Sequence, residues 1–162
     1  MKIRLAILSL LAVLSGCANR QVGQLSEPLA SAPTSEKVDT TRDGTSVATT
    51  LEDYKRDLAQ RIVEVNSTKV YVERPQALLR SVIVMKYAVD ARGNLVRSEI
   101  VRTNHDRTTE ATALASLKST APFPKPAAHL LHNGRVEISE VWLFNNDGRF
   151  QLRTLAKQQM SQ

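Results

Sequence analysis

Residues 81–89 read Ser-Val-Ile-Val-Met-Lys-Tyr-Ala-Val, and residues 90–94 read Asp-Ala-Arg-Gly-Asn. The first segment is dense in β-branched and aromatic residues, which favour a strand. The second segment has turn chemistry, with Gly93 free to adopt a positive φ. Because a further strand-like run extends from Leu95 to Thr103, we predict a β-hairpin around Gly93.

Amphipathic helices are predicted on both sides of this hairpin. Before it, apolar residues recur every three or four positions, and Thr50 is placed to cap the helix. After it, Asp106 or Thr108 caps a helix that continues to about Thr120, where a proline-rich segment ends it. The predicted apolar faces are Leu51, Tyr54, Leu58, Ile62 and Val65 in the first helix, and Ala111, Leu114, Ala115 and Leu117 in the second.

A last strand is predicted from Arg135 to Phe144. Its apolar residues share one face, which Glu140 interrupts, and residues 145–148, Asn-Asn-Asp-Gly, are a tight-turn signal. Arg149 to Thr154 can then pair back as a fourth strand; the alternative is a frayed helix or coil. The order of elements predicts an α+β domain in which a small antiparallel sheet of three strands, plus this C-terminal strand, packs with two helices.

The N-terminus has the layout of a secretory signal. Lys2 and Arg4 precede an apolar run from Leu5 to Leu14 of about ten residues, whereas a membrane-spanning helix needs about twenty. Residues 14–17, Leu-Ser-Gly-Cys, resemble the lipobox of bacterial lipoproteins, in which cleavage precedes the cysteine. The resemblance implies that residues 1–16 are the signal peptide and that Cys17 is acylated. The alternative is an ordinary signal peptide with an incidental cysteine.

Ala18 bears on the location of the protein. By the lipoprotein rule, Asp after the cysteine retains a protein in the inner membrane, so Ala18 favours the outer membrane, facing the periplasm. Fatty-acyl chains on Cys17 would anchor the chain there. Because Cys17 is the single cysteine, acylation leaves none for a disulfide.

Residues 18–49 are rich in Ser, Thr, Ala, Gln and Pro and contain hardly any large apolar residue. Such a segment buries too little apolar surface to offset the entropy of ordering. We therefore predict a lipidated N-terminus and disordered tether over residues 17–49, a folded domain over residues 50–155, and a disordered tail over residues 156–162.

The predicted domain resembles the C-terminal domain of the TonB and TolA family. The resemblance covers residues 51–144 and rests on the Tyr54 helix, the hairpin around Gly93, and an alanine-rich helix that runs into Pro-Phe-Pro-Lys-Pro at residues 122–126. Two departures occur. Arg74-Pro75 stands where the family commonly has Tyr-Pro, and Ser81 replaces a glycine that often enters the first strand. TonB and TolA also carry a retained transmembrane helix and a long periplasm-crossing region, which this sequence lacks.

In that family an extended partner segment adds a strand to an exposed sheet edge. Carried over to this chain, the resemblance implies a partner-binding edge at Val141, Trp142, Leu143 and Phe144. A strand from Arg149 to Thr154 would cover this edge. Trp142 has a second interpretation, stacking on a glycan or a partner, although a large aromatic at strand spacing is typical of a core.

Other function classes have little support in the sequence. Neither a nucleophile elbow nor a Gly-rich phosphate loop is present. His129 and His132 lie between prolines and Gly134 without a nearby acid or cysteine, which is typical of loop histidines rather than of a metal site. The net charge of +6, which falls to +4 without Lys2 and Arg4, is scattered, and a location outside the cytoplasm argues against nucleic acid.

The sequence therefore predicts a non-enzymatic, lipid-anchored interaction module that docks an envelope protein or an extended peptide. It indicates no metal, cofactor or small-molecule substrate. The alternative is a structural subunit of a larger cell-envelope or transport assembly.

Overall fold

The structure, a computed structural model, describes residues 37–157. The four strands form one antiparallel sheet in the order β2-β1-β3-β4, and two helices pack against each other and on the sheet. This arrangement confirms the predicted α+β fold, including its fourth strand. The elements are α1 (Leu51–Val65), β1 (Ser81–Asp90), β2 (Leu95–Arg102), α2 (Arg107–Thr120), β3 (Arg135–Phe144) and β4 (Phe150–Leu152), with short 3-10 turns at Ser67–Lys69 and Ala128–Leu130.

The central strand pair sets the two faces of the sheet. β1 and β3 pair without interruption from Ser81 opposite Phe144 to Asp90 opposite Arg135. Because side chains alternate along a strand, one face carries the buried residues of both strands and the other remains open. The buried residues that form the core with α1 and α2 include Ile83, Met85, Tyr87, Val89, Val136, Ile138, Trp142 and Phe144.

The helix α1 begins as its sequence predicts. The Thr50 side chain accepts a hydrogen bond from the Asp53 amide at 3.1 Å, so Thr50 is the N-cap. The buried residues of α1 are Tyr54, Leu58, Ala59 and Ile62. The predicted face was too long at both ends, because Leu51 and Val65 remain 46% and 39% exposed.

The predicted inward face of α2 was wrong for its two alanines. Leu117 is buried, but Ala111 and Ala115 are exposed and Leu114 is only half-buried. The helix instead buries Thr109, Ala113, Ser116, Leu117 and Thr120.

Hydrogen bonds explain why polar side chains of α2 turn inward. The Trp142 indole Nε1 donates to Ser116 Oγ at 3.0 Å, and Asn66 Nδ2 donates to the Ser116 carbonyl at 3.1 Å and to Thr120 Oγ1 at 3.2 Å. Buried polar groups are tolerated when they are paired in this way. The contact between α1 and α2 is therefore partly polar, which a hydrophobic pattern does not reveal.

The packed part of the chain begins earlier than predicted. Residues 39–48 form a strap, defined here as the segment that folds back on itself and docks beside the proline-rich segment. Ser46 N donates to the Lys125 carbonyl at 2.9 Å, the Ser46 hydroxyl donates to Asp57, and Ala48 is buried. The predicted disordered tether over residues 17–49 is thus wrong for residues 39–48. Residues 17–36 of the predicted tether lie outside the described residues.

Candidate functional site

The predicted binding edge is already occupied in the structure. Trp142, Leu143 and Phe144 pair with Leu152, Gln151 and Phe150 of β4, and the Val141 carbonyl accepts a hydrogen bond from Arg153 N at 2.9 Å. The backbone groups of Val141, Trp142, Leu143 and Phe144 are therefore not open to an incoming strand. The pairing also rules out a frayed coil for residues 150–152.

The strand β4 is part of the core rather than a removable cover. Phe150 and Leu152 are fully buried, and the Phe150 ring lies 5.7 Å from that of Phe144. On the other side of β4, Tyr71 N donates to the Phe150 carbonyl at 3.2 Å, and Gln151 Nε2 donates to the Tyr71 carbonyl at 2.7 Å. Because β4 has neighbours on both sides, lifting it would open the hydrophobic core.

Glu140 marks the point where β4 leaves β3. Its side chain lies on the core face and is 1% exposed. Oε1 accepts hydrogen bonds from the amides of Val141 at 2.7 Å and Thr154 at 3.4 Å. Oε2 is buried and, among residues 37–157, has no hydrogen-bond partner. The acid that interrupted the apolar pattern of the sequence therefore holds the turn after β4 against β3.

Tyr87 is the second unsatisfied polar group on this face. Its hydroxyl is buried and has no hydrogen-bond partner in the described part of the chain. Burial raises the pKa of Tyr87 well above its usual value, and the neighbouring charge of Glu140 raises it further. The neutral phenol is thus strongly favoured in the folded state.

On the N-terminal side of Glu140, β3 has a short edge whose backbone groups are unpaired within the described residues. In an antiparallel sheet, successive residues direct their backbone hydrogen bonds to opposite sides. The Val141 carbonyl faces β4, so the backbone groups of Ser139 and Glu137 point the same way. No residue from 37 to 157 pairs with them there.

This free edge is closed at both ends. At one end, His132 and Arg135 exchange backbone hydrogen bonds of 2.8 and 3.2 Å. At the other end, Glu140 and Arg153 satisfy Val141. We call residues 137–139 the β3 slot. The sequence did not predict it, because the slot exists only where a distant strand stops short.

The open face of the sheet has two unlike halves. One half is apolar and consists of the cross-strand pairs Val82–Leu143 and Val84–Val141, with Val82 39% exposed. The other half is charged and includes Lys86, which lies opposite Ser139. In this charged half a shallow depression is lined in part by Lys86, Arg97, Glu99, Glu137 and Ser139, with Ala88 buried between them. The β3 slot borders the charged half.

The residues on which the family resemblance rests contact one another in the fold. The Tyr54 hydroxyl donates to the Pro124 carbonyl at 2.8 Å, and Phe123 N donates to the Gly93 carbonyl at 2.8 Å. The Phe123 ring stacks on Tyr87 with centroids 6.1 Å apart. These contacts give the motif a structural role, since they fasten α1, the hairpin and the proline-rich segment together.

The remaining candidate residues have structural surroundings. His129 Nε2 lies 3.0 Å from the Thr49 carbonyl, and His132 belongs to the turn before β3. Among residues 37–157, no group of three or more His, Cys, Asp or Glu side chains is placed to hold a metal ion. Trp142 is fully buried and bonded to Ser116, so it is a core residue and cannot stack on a glycan.

Cys17 and the predicted lipobox lie outside the described residues. Within residues 37–157, no helix has the length and apolar character needed to cross a membrane. No protein-family model, curated protein or solved structure matches the chain.

Proposed function

We propose that this protein is a lipid-anchored interaction module at the periplasmic face of the outer membrane. Cys17 carries the anchor, residues preceding the strap act as the tether, and the folded domain docks an extended segment of an envelope protein. The domain has no motor coupling of its own.

The observation that carries this proposal is the β3 slot. Glu137 and Ser139 each present one N–H and one C=O to the outside of the sheet, and unpaired strand edges recruit extended segments. The slot continues the line of β4, so an incoming segment would lie end to end with β4 and extend the same side of β3.

The dimensions of the slot predict weak, selective binding. Three residues at about 3.4 Å each give an edge of roughly 10 Å, far shorter than an ordinary protein interface. An anchor that keeps the domain near its partner compensates, because a high local concentration raises the occupancy of a weak site. The charged side chains of Lys86 and Glu137 beside the slot favour partner segments with charges of both signs.

Photo-crosslinking in intact cells tests the docking site. A photoreactive residue at position 137 of the full chain is expected to capture a partner, whereas the same residue at Lys118, exposed on α2, serves as the control. Ser139→Pro removes the outward N–H without touching the ladder to β1, so it should abolish the crosslink at position 137. An undiminished crosslink in a folded Ser139→Pro protein, or equal capture at Lys118, would contradict the proposal.

Fatty-acid labelling tests the anchor. Wild-type protein should incorporate labelled fatty acid and fractionate with the outer membrane, while Cys17→Ala should do neither. A wild-type chain that takes up no label and is recovered from the soluble fraction would show that the lipobox interpretation is wrong. A partner that copurifies at fixed stoichiometry through detergent extraction would instead favour the structural-subunit alternative.

A further inference from the structure

The opposite border of the sheet carries a second, unrelated free edge. Among residues 37–157, β2 is the outermost strand at this border and pairs only with β1. Glu99 lies opposite Lys86 and Arg97 opposite Ala88, which are the β1 positions that bond toward β2. The backbone groups of Ser98 and Ile100 therefore point away from the sheet, and no residue from 37 to 157 pairs with them.

The residues around Ser98 are arranged symmetrically by chemical type. Residues 96–100 read Val-Arg-Ser-Glu-Ile, so an apolar residue and a charge stand on each side of a small central residue, and the two charges are opposite. Arg97 and Glu99 share the open face, where their side chains are 63% and 45% exposed. A strand of this kind is complementary to its own antiparallel copy.

We propose that β2 pairs with β2 of a second copy of this chain, about a two-fold axis through Ser98. Ser98 would then lie opposite the Ser98 of the other copy, and their outward N–H and C=O groups would exchange hydrogen bonds. The two sheets become one continuous sheet, which is the isologous contact expected of a closed dimer.

The charges of Arg97 and Glu99 favour this register over the two registers in which the axis is shifted by one residue. With the axis at Ser98, each Arg97 lies directly opposite the Glu99 of the other copy. Backbone hydrogen bonding permits shifts of the axis by one residue, and these place Arg97 against Arg97 or Glu99 against Glu99. Like charges directly opposite each other destabilise a strand pair, whereas opposite charges stabilise it. Of these three axes, only the one at Ser98 places Arg97 and Glu99 opposite each other.

The ends of the regular segment limit the strength of the dimer. The pairing of β2 with β1 shifts by one residue at Val96 and again at Val101, so the straight part of the edge is Arg97–Ile100. Such bulges bend an edge and restrict how far pairing can extend. We therefore expect a concentration-dependent dimer that weakens as salt rises. It leaves the β3 slot free and does not depend on the proposed function.

Sedimentation velocity of the full-length chain over a concentration series tests this inference, in detergent if the chain is membrane-bound. Wild-type protein should be in monomer–dimer equilibrium. Arg97→Glu and Glu99→Arg should each weaken association about tenfold or more, because each places like charges opposite each other. The double variant Arg97→Glu/Glu99→Arg restores opposite charges and should dimerise like the wild type.

The two single variants also supply a sharper readout. Arg97→Glu leaves an acidic side chain at both charged positions of β2, and Glu99→Arg leaves a basic side chain at both. In an equimolar mixture the acidic strand of one variant meets the basic strand of the other, so heterodimers should form although neither variant dimerises alone.

Glu64→Arg is the matched control. The reversals on β2 break the 2.9 Å ion pair of Arg97 and Glu99, and Glu64→Arg likewise breaks an exposed ion pair, that of Arg61 and Glu64, 2.8 Å long, on α1. It should leave dimerisation unchanged. Ser98→Pro, which removes an outward N–H, should abolish the dimer while circular dichroism reports a retained fold. A wild type that stays monomeric at every concentration, or a dimer insensitive to both the charge reversals and Ser98→Pro, would overturn the inference.

Discussion

The amide of Phe123 donates a hydrogen bond of 2.8 Å to the carbonyl oxygen of Gly93, and this contact locks the hairpin turn onto the proline-rich segment. Gly93 has a φ of +84°, and a Cβ atom at this position would lie 2.2 Å from the Phe123 carbonyl oxygen. Two separate requirements, a left-handed backbone and a close approach, therefore demand glycine here. The turn residue that the sequence marked is also a packing residue.

Gly93→Ala should destabilise the domain by about 3 kcal/mol or more, because the new Cβ must push the proline-rich segment away and its backbone is strained. Gly134→Ala is the matched control: Gly134 has a φ of +75°, but nothing lies within 4 Å of its missing Cβ. The control should lose only about 1–2 kcal/mol, the cost of the left-handed backbone alone. Urea denaturation of both variants measures the difference. Equal losses would show that the contact with Phe123 contributes little.

The three tyrosines of the chain should resist ionisation until the domain unfolds. Burial raises the pKa of Tyr71 to about 12 and raises those of Tyr54 and Tyr87 further above their usual values. Unfolded tyrosines ionise at about pH 10. The contribution of the buried neutral tyrosines to the free energy of unfolding is therefore fully present below that pH, and it is lost as the pH rises toward their raised pKa values. Absorbance at the tyrosinate band should therefore rise together with the loss of tertiary structure. A tyrosine that titrates near its usual pKa of about 10 in the folded protein would contradict this burial.

Phe150→Ala should cost about 3–5 kcal/mol, because Phe150 is fully buried against Phe144 and its removal leaves a cavity. Truncation after Asp147 should unfold the domain for the same reason, rather than yield a folded domain with an exposed β3 edge. Val101→Ala, on a side chain 52% exposed, is the control and should change stability by less than about 0.5 kcal/mol. Thermal denaturation compares the three proteins. A stable truncated domain would show that β4 is dispensable.

Asp43 should stabilise the strap only in its ionised form. Its carboxylate accepts hydrogen bonds from the hydroxyls of Thr41 and Thr45, at 2.5 and 2.9 Å, and lies 3.5 Å from Lys125 Nζ. Mainly these hydroxyls, with Lys125 adding, lower the pKa of Asp43 from 3.8 to about 2. This contribution is present above pH 3.8 and is lost as pH falls toward 2.

In the Asp43→Asn variant, the amide protons of residues 44–46 should therefore exchange with solvent faster than in the wild type near neutral pH. The difference should shrink as the pH falls from about 4 to about 2, where wild-type Asp43 also becomes neutral. Hydrogen exchange measured by mass spectrometry over this range checks the prediction. A difference that is independent of pH would mean that the carboxylate charge has no role in the strap.

The sequence by itself determined the local elements of this protein. The alternation of residues 81–89 and the turn at Gly93 specify the hairpin, and Thr50 caps α1 as predicted. Asp106, one of the two candidates that the sequence offered, caps α2. Caps, turns and strand alternation depend on residues a few positions apart, so their chemistry can be read along the chain.

Tertiary structure alone decided which surfaces are buried and which edges are free. Ser116 turns inward because Trp142, far along the chain, supplies a donor, and the strap is ordered because Lys125 meets it. The β3 slot exists because β4 stops at Leu152. The backbone N–H and C=O of Ser98 are free because no strand lies beyond β2 at that border of the described sheet. A backbone group is free or paired according to which distant segment lies beside it, and that neighbour is set by the packing of the whole domain rather than by adjacent residues.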